Sequence, residues 1–156
     1  MAGDRSEPES ESERNSRRLL ELLQEVRVAT AGVQILFGFL LAVPFQQGFA
    51  RISSFQKHVY LVVLICTALS SALLIAPSAL HRLLFGRGHK PEIIRYANRM
   101  VIYGLVLLAV AMVGVVLLIT HDLFGPAAAI AITAPIAVVF VGTWFVIPLL
   151  RREDPE

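Results

Sequence analysis

The chain has 156 residues, of which 56% are hydrophobic, and its 14 Lys and Arg against 12 Asp and Glu leave a formal net charge of +2. A mean hydropathy of +0.67 excludes a disordered polar chain. The polar connections between apolar runs, about 46–58, 81–99 and 121–125, are too short for a soluble catalytic domain, which usually needs roughly 50 residues or more.

Residues 1–14 mix Ser, Glu, Asp and Pro. They cannot bury enough apolar surface to offset the entropy of ordering, and read as a disordered polar tail. Asn15 or Ser16 can cap a helix. From there Leu19, Leu22, Leu23 and Val26 follow the spacing of an amphipathic helix, with no Gly or Pro before the first apolar run. One helix is therefore expected to rise from the surface through the bilayer. The long acidic leader and the long run behind it argue for a retained anchor rather than a cleavable signal.

Residues 28–50, 59–80, 100–120 and 123–150 contain no charged side chain. Each exceeds the roughly 20 helical residues that cross a bilayer core of about 30 Å. Only helices satisfy their own backbone hydrogen bonds singly in lipid. The expected fold is all-α: an antiparallel bundle of four transmembrane helices at about 28–48, 59–80, 100–120 and 126–150, the first extended into the cytoplasm. Residues 15–152 form the membrane domain and 153–156 a short tail. Twelve Lys and Arg fall in the N-terminal region, the second-to-third loop and the C-terminus, against Arg51 and Lys57 in the other loops. The positive-inside rule then places both termini in the cytoplasm, as in a multi-pass plasma-membrane protein. The single cysteine, Cys66, excludes an internal disulfide.

In the first span Gln24, Arg27, Ala31, Gln34, Gly38 and Ala42 form one helical stripe. Small and polar residues at this spacing let helices approach closely and hydrogen-bond. If the stripe packs, Gly38→Leu should be more damaging than Gln34→Leu. The competing reading makes Gln34 a polar site on a solute path and Arg27 its cationic gate. Ser70 and Ser71, beside Cys66 and Thr67, give the second span small polar groups near mid-membrane, and Gly104, Ala111 and Gly114 form a close-packing seam on the third. Trp144 and Tyr103 suit the inner interface and Tyr60 the outer.

Pro77 removes one helical hydrogen bond and frees the Leu73 carbonyl. A kink there would aim His81 and Arg82 at the phosphate layer, and the 86–90 loop adds Arg87 and Lys90. These four are read as contacts to anionic lipid headgroups on the cytoplasmic side. The loop has neither Walker nor GxGxxG spacing, so no nucleotide site is expected. A pI near 9.0 follows from membrane topology and does not indicate nucleic acid. His58, His81, His89 and His121 stand in no ligand spacing, so neither metal nor cofactor is expected, and interfacial hydrogen bonding suffices for them. No Asp or Glu lies deep in a span, which opposes ion-coupled antiport by one subunit. No nucleophile–base pair can be named, so a non-enzymatic protein is expected.

The run 15–45 (NSRRLLELLQEVRVATAGVQILFGFLLAVPF), the Ala76-Pro77-x-x-x-His81-Arg82 element and the four-span layout resemble a family of small bacterial membrane proteins, seen mainly in actinobacteria. That family is known only as a domain of unknown function. The resemblance covers roughly 15–152 and implies four plasma-membrane helices without established catalytic residues. Some members carry a label of the sodium–proton antiporter type. The leading expectation is a helix-packing protein that associates with itself, with lipid or with another membrane protein. The alternative is a small oligomeric transporter or channel using Gln34, Ser70 and Ser71.

Overall fold

The computed structural model describes residues 11–84 and 90–147. Four long helices account for most of them: α1 Glu11–Ala42, α2 Ser54–Leu84, α3 Lys90–Phe124 and α4 Pro126–Val141. Short 3-10 turns at Val43–Phe45 and Phe49–Arg51 join α1 to α2, and a π-helical turn at Gly142–Val146 follows α4. No strand occurs among the described residues. The apolar stretches Val26–Phe45, Ser54–Leu80, Arg95–Phe124 and Pro126–Trp144 are each long enough to cross a membrane.

α1 is continuous from Glu11, starting ahead of the cap expected at Asn15 or Ser16 and overlapping the last residues expected to be tail. Residues 1–10 and 148–156 lie outside the described residues, as do Arg87 and the rest of the 85–89 loop. α3 absorbs the prelude to its span, because nothing between Pro91 at its first turn and Met100 interrupts a helix. Gly125 separates α3 from α4. Its φ of +83° lies in the region that favours glycine, which lets the chain reverse within a single residue.

α3 lies at the centre: α1, α2 and α4 all pack on it, whereas α4 touches neither α1 nor α2 among the described residues. Leu40 of α1 joins Tyr60 of α2, and Leu74 of α2 meets Gly104 of α3, so successive helices run antiparallel. Two apolar clusters fill the core. Val26, Val33, Leu74 and Leu108 make one; Leu40, Tyr60, Val63 and Ala111 make the other. From α1 they take Val26, Val33 and Leu40, a repeat of seven that marks one helix face. α4 buries only Ala129 and Thr133, small residues that let it lie close against α3.

Candidate functional site

The seam between α2 and α3 is closed by small residues. A Cβ added at Gly104 would lie 2.9 Å from Cδ2 of Leu74 and 3.4 Å from Cβ of Leu73, and one added at Gly114 would collide with Cγ2 of Val63. Leu74 is fully buried and Val63 2% exposed, so neither has room to withdraw. Ser70 is fully buried and donates its hydroxyl to the Gly104 carbonyl at 2.7 Å. The serine thus crosses the seam at the point where glycine allows the backbone to come near. Thr67 turns its hydroxyl back to the Val63 carbonyl at 2.7 Å, and Ser71 is half-buried beside them.

The stripe on α1 has a different setting. Gln24, Arg27, Ala31, Gln34, Gly38 and Ala42 are all exposed, and a Cβ at Gly38 would have nothing within 4 Å. At 100° per residue the stripe is centred roughly 145° from the face carrying Val26, Val33 and Leu40, with Gln34 and Arg27 its nearest members at roughly 100–120°. Among the described residues no other helix covers it. Gln34 lies near the middle of the Val26–Phe45 span.

At the end where α1 turns into α2, polar groups are tied together. Ser53 and Gln56 form a capping box: the Ser53 amide donates to Oε1 of Gln56 at 2.8 Å, and the Gln56 amide donates to Oγ of Ser53 at 3.2 Å. The same Gln56 side chain, 7% exposed, donates from Nε2 to Oδ1 of Asp122 at 3.1 Å. That bond fixes the start of α2 to the end of α3. Pro44 has no amide hydrogen, which leaves the Leu40 carbonyl without its helical donor. The Tyr60 hydroxyl fills that position at 2.8 Å. An open pocket of about 200 Å³ lies here, with Phe49, Ile52, Leu118 and Ile119 as apolar walls and Gln56 and Asp122 among its polar groups.

The model of a family of unknown function, DUF6328, matches residues 8–148. The chain belongs to this family. No curated protein and no solved structure gives a match.

Of the residues singled out in this DUF6328 chain, Ser70, Gly104 and Gly114 come together in one seam. Gln24, Arg27, Gln34 and Gly38 share a different, outward surface. Arg82 is exposed at the end of α2; His81 lies in α2 and Lys90 begins α3. Tyr60 is not a lipid-facing anchor: it is 8% exposed, packs edge-on against Phe49 with centroids 5.1 Å apart, and caps α1. Tyr103 is exposed, and Trp144 packs edge-on against Phe140. His58 places Nδ1 2.7 Å from the Ser54 carbonyl, to which it donates. His121 instead sets its ring against Phe55, and its Nδ1 has no hydrogen-bond partner among the described residues. Among the described residues no three His, Cys, Asp or Glu side chains gather as a metal site would require.

The sequence reasoning missed Gln56 and Asp122 as a pair. The Ser53-x-x-Gln56 signature was there to be found. Nothing local indicates that Gln56 reaches Asp122, a residue 66 positions away.

Proposed function

We propose that this chain is a non-enzymatic assembly protein of the plasma membrane, joining a second copy of itself through the outward stripe of α1. The supporting observation is Gln34, exposed near mid-span on a face left uncovered among the described residues. A bare amide moved from water into a medium that cannot hydrogen-bond loses about 4–8 kcal/mol. A partner that bonds Gln34 relieves this, while Gly38 and Ala31 allow the backbones to approach.

A second copy fits because an amide carries both donor and acceptor, so Gln34 can pair with Gln34 across a two-fold axis. Copies inserted in the same sense, termini in the cytoplasm by the distribution of Lys and Arg, present the stripe at the same depth. Arg27, at the start of the span, can extend its guanidinium into the headgroup layer. Arg82, with His81, Arg87 and Lys90, would then hold anionic headgroups on the same side.

A second reading keeps the surface and changes its use: the stripe lines a solute path between protomers, with Gln34 as its polar point. Ser70 supports that reading poorly, because its hydroxyl is committed to Gly104. Association and flux of fluorescently labelled protein in liposomes separate the two. Wild type should associate without passing solutes, and Gln34→Leu should weaken association. Flux lost in Gln34→Leu with the fold intact would select the path instead.

A further inference from the structure

The pocket at the α1–α2 turn is a separate feature from the α1 stripe, and its chemistry is specific. Five apolar side chains, Val43, Phe49, Ile52, Leu118 and Ile119, line it beside the carboxylate of Asp122. Asp122 is exposed and has no cationic partner among the described residues. The basic residues of this end, Arg51 and Lys57, are exposed and do not line the pocket. The carboxylate is held rather than loose, since Gln56 donates to Oδ1 and is itself fixed by the capping box. An ionised carboxylate has about four lone-pair sites, so the Gln56 bond leaves most of its accepting capacity unused.

We infer that this pocket binds the ammonium group of a small amphiphile, with the amine on Asp122 and the adjoining alkyl chain against Ile119 and Phe49. The sign of the charge decides against an anion. A calcium ion needs about six to eight oxygen ligands, more than one carboxylate, the side-chain amides of Gln46 and Gln56 and the Tyr60 hydroxyl supply. A volume of about 200 Å³ is below the roughly 300–1,000 Å³ of pockets for drug-sized ligands, and corresponds to roughly six or seven waters. It suits a headgroup or a short-chain amine. Apolar walls next to a carboxylate favour an amine joined to hydrocarbon over a fully hydrated cation. The source is either the ammonium head of an aminophospholipid or a free hydrophobic amine, and both present the same group.

The test titrates full-length protein in maltoside micelles with hexylammonium, and with hexanol as a neutral analogue, following binding by ligand-observed NMR. Wild type should bind hexylammonium in preference to hexanol, and Asp122→Asn, whose amide oxygen can still accept from Gln56, should lose about tenfold of that affinity. Ile119→Trp, which fills the pocket from an exposed position and keeps the carboxylate, should lose it as well. Equal binding of amine and alcohol by wild type, or unchanged amine binding in folded Asp122→Asn or Ile119→Trp, would overturn the site. Nanodiscs then identify the source. With binding counted as the excess over Asp122→Asn in discs of the same lipid, which removes the attraction of the amine to anionic phosphatidylglycerol, weaker hexylammonium binding in phosphatidylethanolamine than in phosphatidylglycerol assigns the site to the lipid headgroup; equal binding in the two assigns it to the free amine.

Discussion

The α2–α3 seam and the outward stripe of α1 are written in similar residues and used in different ways. Both set glycine and a small or polar side chain at helical spacing. In the seam, Gly104 and Gly114 face Leu74 and Val63 at distances that leave no room for a methyl group. In the stripe, Gly38 faces open space and Gln34 is exposed. The comparison teaches that a close-packing signature states how near a neighbour can come, and not whether that neighbour belongs to the same chain. It also separates the energies: the seam should hold the monomer, and the stripe should act only between molecules.

The largest effect should come from the seam. Gly114→Leu drives a branched side chain into Val63, in a core that cannot yield, and should lower stability by about 3 kcal/mol or prevent folding. Thermal unfolding in detergent measures this, and a wild-type transition would show the seam to be looser than described. Tyr60→Phe comes next. It leaves the Leu40 carbonyl, freed by Pro44, without a donor, and a buried acceptor left unsatisfied costs about 1–3 kcal/mol. Ser70→Ala removes one interhelical hydrogen bond and should cost about 0.6–1.7 kcal/mol. The smallest effect is expected from Gly38→Leu, within about 0.5 kcal/mol in dilute micelles, because the added side chain meets nothing in its own chain. If Gly38→Leu proved as damaging as Gly114→Leu, the distinction between the two regions would collapse.

Charge-free runs of spanning length read out the four helices, because that signal is local and repeated over many residues. The seam on α3 was legible for a related reason: Gly104, Ala111 and Gly114 lie on one helix, and helical spacing alone puts them on one face. The orientation of α1 was not. Its stripe of small and polar residues marks a face that a helix can approach closely without saying which helix, and the face buried within the chain is the one bearing Val26, Val33 and Leu40, three large apolar side chains. Within the chain, α1 packs by fitting those side chains among Leu74, Leu108, Tyr60, Val63 and Ala111.

Long-range polar contacts were the least legible. Pro77 was read as freeing a carbonyl, and the same reasoning applied to Pro44 would have exposed Leu40 as an acceptor in need of a donor. It could not have named Tyr60 as the donor, since that depends on how α2 returns along α1. The pocket is a still later product of the fold. Its walls come from the α1–α2 connection and from the far end of α3, segments that only tertiary packing brings together.

The central claim is that the α1 stripe is an intermolecular surface, and cysteine cross-linking in native membranes tests it most directly. In a Cys66→Ala background, cysteine is placed at Gly38 or, as an exposed control on α4, at Ile130, which is 66% exposed. Oxidation should give covalent dimers for the cysteine at 38 and few for the one at 130, and adding Gln34→Leu should reduce those dimers without lowering the melting temperature. Equal cross-linking at the two positions, or none at 38, would contradict the account.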